Sequence, residues 1–150
     1  MYKTILVPLD GSKRAEAIIP HVEELAVNYH AKIVILRVVE RSYCMPDYYD
    51  RVNIASYQQE YERRKKDVEA YLAAWQGELR EKGIESKIIV GQDQVVSSIL
   101  NAATQENADL IAIASHGRTG LSRAFYGSVA AGVLNGADRP LLIIRSRQQN

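Results

Sequence analysis

Hydrophobic residues in this chain follow two patterns that take turns along its length. Thr4-Ile5-Leu6-Val7, Ile33 to Val39, Lys87-Ile88-Ile89-Val90, Leu110 to Ala114 and Leu141-Leu142-Ile143-Ile144 are short, nearly unbroken apolar runs. Runs of that length without strict alternation predict strands buried on both faces. Between them lie stretches whose apolar residues recur three or four apart, the period of an amphipathic helix. Ala15, Ile18, Ile19, Val22, Leu25 and Ala26 form the first such face, with Ser12 placed as its N-cap. Pro20 falls inside that face, and because the period continues through it the expectation is one kinked helix, not a stop. Tyr57, Tyr61, Val68, Tyr71, Leu72, Trp75 and Leu79 predict a long second helix ending near Gly83. Val95, Val96, Ile99, Leu100 and Ala103 predict a third, and the last should run from Ser128 to Asn135-Gly136.

Strands separated by helices indicate a parallel sheet covered on both faces, in a single domain over 1–150 with no linker, repeat or low-complexity tract. In such open sheets a ligand sits beyond the carboxyl ends of the strands, where the strand order reverses. Asp10, Val38-Val39, Gly91 and the segment 115–129 all fall at such ends. The strand order itself is not fixed by the pattern.

The segment after the fourth strand holds the most specific chemistry. Glycines at 117, 120 and 127 let backbone N–H groups approach a ligand closely, and Gly127-Ser128 opens a helix whose first amides lack intrahelical partners. Amides and helix dipole together favour an anion, which suits a nucleotide phosphate. Asp10 fits either a ligand contact or the turn before Gly11, and one residue can serve both. The tyrosines between 43 and 61 admit two readings: a flap over the ligand formed by residues 40–56, or an aromatic patch on the following helix or a partner subunit. The patch is preferred.

Composition narrows this picture little. The chain has 150 residues, 47% hydrophobic and 25% charged, ordinary for a globular protein, and its net charge of +1 does not advertise nucleic acid. From His116 onward, however, five arginines stand against one acid, Asp138, a local excess that favours an anion. No apolar stretch reaches the ~20 residues of a membrane span. The opening run breaks at Pro8 and Asp10, too early for a secretory signal. One cysteine, Cys44, leaves no internal disulfide and fits the cytoplasm. His21 and His30 lack metal-ligand spacing to Cys44 or His116, so no protein metal site is expected.

Taken in order, Ile5-Leu6-Val7-Pro8-Leu9-Asp10-Gly11-Ser12, Ser115-His116-Gly117-Arg118-Thr119-Gly120, Gly127-Ser128-Val129 and Arg139-Pro140-Leu141-Leu142-Ile143-Ile144 resemble the universal stress protein family, the UspA-like group. The resemblance covers essentially the whole chain. It implies an open five-stranded parallel α/β sheet of order 3-2-1-4-5, Rossmann-like, with helices on both faces. Its ATP-binding members carry Gly-x2-Gly-x9-Gly followed by Ser or Thr; the matching positions here are Ala114, Gly117, Gly127 and Ser128, with the spacing intact and Ala114 in place of the first glycine. The implied ligand is ATP or another adenine nucleotide, with any Mg²⁺ carried in by its phosphates. The implied site takes Pro8 and Leu9 against the base, Asp10 at the base or ribose, and the Val38 backbone at the base edge. Ala114 ends strand four, His116 and Gly117 follow it, and the amides of Gly117, Gly127 and Ser128 with the Ser128 hydroxyl hold phosphate, with Val129 beside them. A homodimer through the last strand, Leu141 to Ile144, is implied as well.

The function expected is that of a cytoplasmic, stress-related nucleotide-binding protein acting as a ligand-dependent switch on a protein partner, not on nucleic acid or a membrane. Two rivals stand beside it, a dimeric interaction module that binds no nucleotide and a slow ATP hydrolase. The chain has no Gly-x4-Gly-Lys-Ser/Thr loop and no evident general base, which weighs against efficient catalysis.

Overall fold

In the computed structural model, which describes residues 1–40, 51–92, 94–116 and 127–146, the five apolar runs are five strands. They are β1 (Thr4–Pro8), β2 (Lys32–Val39), β3 (Ser86–Gln92), β4 (Leu110–His116) and β5 (Leu141–Ser146). All neighbours pair in parallel in the order β3-β2-β1-β4-β5. Five helices connect them: α1 (Lys13–Glu16), α2 (Ile19–Tyr29), α3 (Arg51–Glu81), α4 (Val95–Gln105) and α5 (Ser128–Gly136).

The unbroken runs are explained by burial on both sides. Ile5, Val7, Ile33 and Ile35 enter one core with Val22 of α2 and Leu72 and Leu79 of α3. Leu6, Val34 and Leu36 enter a second with Ile99 and Ala103 of α4 and Ala130 and Val133 of α5. The crossovers leaving β1 and β2 therefore lie on one face, and those leaving β3 and β4 on the other. The reversal falls between β1 and β4. At the amino ends of these strands the Asp109 carboxylate accepts from the Lys3 and Thr4 amides at 2.8 and 2.9 Å, pinning β4 to β1. At the far edge, β5 has a strand neighbour on one side only among the described residues.

Four expectations are corrected. The segment from Ser12 is two helices, not one kinked helix. Proline lacks an N–H and its ring collides with the carbonyl four residues back, here Glu16. The Ala17 and Ile18 amides instead close on Arg14 and Ala15 at 3.3 Å, and Pro20 sits in the first turn of α2, where its missing donor costs nothing. Helix α3 begins at Arg51, inside the stretch that shows no period; of its early residues, Ile54 and Tyr57 are 53% and 42% exposed and add no core-facing apolar position. With 31 residues α3 is about 46 Å long, against about 26 Å for the eight-residue β2. Strand β4 continues past Ala114: Ser115 pairs with Arg145 and His116 with Ser146, and the buried Ser115 hydroxyl donates to the Ile144 carbonyl at 3.3 Å. Finally, Arg139 belongs to the amino end of β5, where its Nη1 donates to the Ala103 and Ala108 carbonyls at 2.6 and 3.0 Å. It caps the end of α4 and adds no charge near the turn after β4.

Helices α4 and α5 touch through glycine. A Cβ on Gly132 would lie 2.7 Å from Val96 Cγ2, and one on Gly136 would lie 2.6 Å from Leu100 Cδ1. Gly136 is thus the last residue of α5 and also a contact point. Gly132→Val is expected to lower stability by about 1–3 kcal/mol through overpacking against the stiff Val96 side chain. Gly77→Ala, in α3 with nothing within 4 Å of the added carbon, should raise it by about 0.8–1 kcal/mol. Urea unfolding of the two variants beside the parent checks both signs.

Candidate functional site

A sheet wound in two directions leaves a crevice outside the carboxyl ends of the strands that flank the reversal. Here those strands are β1 and β4. Beyond Pro8 the chain is held down by the Leu9 amide, which donates to the Leu36 carbonyl at 2.8 Å. It then reverses at Gly11, whose φ of +83° favours glycine. Helix α1 packs against β4, so the Leu9–Ser12 turn forms one wall of the crevice.

Asp10 projects from that wall with its side chain 55% exposed. One carboxylate oxygen accepts from the Ser12 amide at 2.8 Å and the Ser12 hydroxyl at 2.6 Å; the other accepts from Arg14 at 3.2 Å. Ser12 Oγ in turn accepts from the Ala15 amide at 3.1 Å as the N-cap of α1. Partial burial pushes the Asp10 carboxyl upward, but the two Ser12 bonds and the Arg14 charge outweigh it and hold the group below its usual value. The oxygen bonded to Arg14 keeps lone-pair capacity for a further donor. The turn and ligand readings of Asp10 are therefore compatible.

The opposite wall is the start of α5. Since α5 returns from the end of β4 to the beginning of β5, its N-terminus lies at the carboxyl edge. Gly127 is its N-cap, with φ −51° and ψ 159°, and among the described residues no side chain caps the helix start. The Ala131 amide closes on the Gly127 carbonyl at 2.9 Å, which leaves the Ser128, Val129 and Ala130 amides as the helix's open donors. Ser128 is exposed, Val129 half-buried against the second core.

The remaining expected residues fall unevenly. Pro8 closes β1 and pairs with Leu36. Leu9 is buried in the first core, so its side chain serves packing beneath the crevice instead of facing it. Val38 of β2 pairs with Gly91 of β3, and its side chain packs in the second core, leaving its backbone at the carboxyl edge. Ala114 is paired with Ile144 inside the ladder, in the extended geometry of a strand that any residue adopts, and its methyl packs against the first core. His116 is the last residue of β4. Gly117 lies outside the described residues, as do Arg118 and Arg123, and most of the 40–56 segment offered as a flap or patch.

One group at this edge escapes sequence inspection. The Arg37 guanidinium of β2 stands 4.9 Å from the centre of the Tyr71 ring of α3. It also lies so close under Gly11 that a Cβ there would be 2.9 Å from its carbon and terminal nitrogens. The Tyr71 hydroxyl donates to Glu16 of α1 at 2.9 Å; burial first, and the Glu16 carboxylate with it, push the phenol up to about 12. The available signal was a single charge within the apolar run Ile33 to Val39. Among the described residues no group of three or more His, Cys, Asp or Glu side chains gathers to hold a metal, and no helix is long and apolar enough to cross a membrane.

Because the folded Asp10 carboxyl is held below the ordinary 3.8, its contribution to stability is fully present above that pH and is lost as pH falls through the lower folded value. Asp10→Asn is therefore expected to be less stable than the parent at pH 7, with the difference shrinking toward zero on acidification below pH ~3. Urea midpoints at the two pH values test this, and a gap that widens on acidification contradicts it.

Comparison with known proteins agrees with this architecture. Universal stress protein MJ0577 of Methanocaldococcus jannaschii is 25% identical over 98% of this chain and 97% of its own length. Universal stress protein Sll1654 of Synechocystis sp. is 29% identical over 96% of this chain and 86% of its own. Among solved structures, that of MJ0577 superposes with a TM-score of 0.80 at 24% identity, covering 99% of both chains. UspA from Lactobacillus plantarum gives 0.78 at 22% identity over 96% of this chain and 98% of its own. A universal stress protein in complex with cAMP gives 0.60 at 20% identity, with 97% and 98% covered. The universal stress protein family matches residues 1–145, and the chain belongs to that family.

Proposed function

We propose that this universal stress protein binds an adenine nucleotide, ATP foremost, in the β1/β4 crevice and acts as a ligand-dependent switch. The observation that carries the reading is the glycine-capped N-terminus of α5, whose first amides have no partner among the described residues, set across the sheet reversal from the Asp10 carboxylate. The phosphates take the Ser128 and Val129 amides, the Ser128 hydroxyl and the positive end of the helix dipole. Asp10 accepts from a ribose hydroxyl or the base amine, both of which are donors. Pro8 and the Val38 backbone lie on the base side, and Gly117 and His116 complete the phosphate side. Mg²⁺ enters only with a polyphosphate. A homologue of the same fold binds cAMP, which supports an adenine ligand for this architecture.

A strand residue at 114 needs no glycine, so alanine leaves the backbone path open. Binding would favour one arrangement of the turn after β4, and a protein partner would read that state in the cytoplasm. The half-buried strip Leu141 to Ile144 at the sheet edge supplies the homodimer contact.

ATP titration by calorimetry tests the reading. Gly127→Val is expected to weaken ATP by tenfold or more, about 1.4 kcal/mol, while circular dichroism stays unchanged. Parent protein that takes up neither ATP, AMP nor cyclic AMP at millimolar concentration contradicts it and favours a nucleotide-free interaction module.

A further inference from the structure

The contact between Arg37, Gly11 and Tyr71 joins three elements that the sequence keeps far apart. Gly11 belongs to the turn that presents Asp10, Arg37 to β2 and Tyr71 to α3. The guanidinium has the Tyr71 ring on one side, within cation–π range at 4.9 Å. On another it abuts the turn, where a Cβ on Gly11 would lie 2.9 Å from it. The ring is tied in turn to α1, the helix that starts from this same turn, through the Tyr71–Glu16 hydrogen bond of 2.9 Å. Lys13 reaches the other Glu16 oxygen at 2.9 Å. The circuit closes: turn, β2, α3, α1 and back to the turn.

We infer that Arg37 is a positioning residue for the nucleotide crevice: stacked on Tyr71, it braces the Gly11 turn from beneath and so fixes Asp10 toward the ligand. Its planar group suits the task because a flat, rigid guanidinium can lie between the ring and the turn. Asp10 has no core side chain holding it in place; its bonds go to Ser12 and Arg14, which belong to the same turn and helix. Those bonds shape the turn internally but do not anchor it to the sheet. The turn's hold on the sheet is the Leu9 amide bond to Leu36 together with the Arg37–Tyr71 brace from β2 and α3. An effect of Tyr71 on a ligand it does not touch would be the sign of that brace, and it would make α3 sensitive to occupancy.

The binding arm of the test rests on the nucleotide reading; the second arm does not. In the full chain, with ATP as probe, Arg37→Met and Tyr71→Leu should each weaken affinity about tenfold, and the double variant should be no weaker than either, as for residues acting as one unit. Arg37→Lys, which keeps a cation over the ring, should stay within about threefold of the parent. Losses that multiply in the double variant, an Arg37→Met affinity within about twofold of the parent, or a lysine variant as weak as the methionine one would each overturn the inference. Without ligand, amide exchange at Ser12 and Ala15 should quicken about tenfold in Arg37→Met, while Ile111 and Ile113 in β4 keep their rates. Unchanged rates at the turn, or equal acceleration in β4, overturn it. If the parent takes up no ATP, the exchange arm alone decides, and only the nucleotide reading fails.

Discussion

Burial of β1 on both faces is the constraint from which the rest of the molecule follows. Ile5, Leu6 and Val7 are each fully removed from solvent, which requires a helical layer above and below the sheet. Right-handed parallel crossovers can supply two such layers only by winding outward from β1 in two directions. The place where the directions part, between β1 and β4, is left open at the carboxyl ends. Both walls of the crevice are consequences: the turn that must leave β1 toward one layer, and the helix α5 that must return from β4 in the other. The glycine contacts of α5 with Val96 and Leu100 then set how close that helix lies to α4.

Where packing wrote the pattern, the sequence was readable. The five runs became five strands in the order implied by the family resemblance, because a strand inside two cores must be apolar at successive positions. Helices α4 and α5 also lie where their periods put them. The reading failed where the deciding interaction is not periodic. Pro20 acts through a collision with a carbonyl, which one hydrophobic face continuing on both sides conceals. The early part of α3 shows no period because its described residues from Ile54 to Gln59 are exposed; farther along, the Glu60 carboxylate meets Arg63 at 2.7 Å and Arg64 at 3.3 Å on the solvent side. Arg139 looked like part of a basic cluster, but proximity in sequence is not proximity across a strand of the sheet. Arg37 was invisible for the opposite reason: its partners are 26 residues earlier and 34 later, and only the fold brings them together.

Ala114 shows how a departure from a family pattern is weighed by geometry. A glycine is irreplaceable where φ is positive or where a side chain has no room. Ala114 meets neither condition, being a ladder residue opposite Ile144 whose methyl adds to the first core. Gly11 meets the first, with φ +83°, and has the Arg37 guanidinium beneath it. Chemically, the crevice offers main-chain donors, a dipole and one ionised carboxylate, a set suited to holding a phosphorylated ligand.

A backbone amide NMR titration of the full chain with ATP tests the central claim most directly. The account predicts saturable shifts concentrated at Asp10, Gly11 and Ser12 and at Ser128, Val129 and Ala130, with the amino ends of the strands, near Asp109 and Arg139, unmoved. Saturable shifts centred on those amino ends, or none at either wall at millimolar ATP, would contradict it.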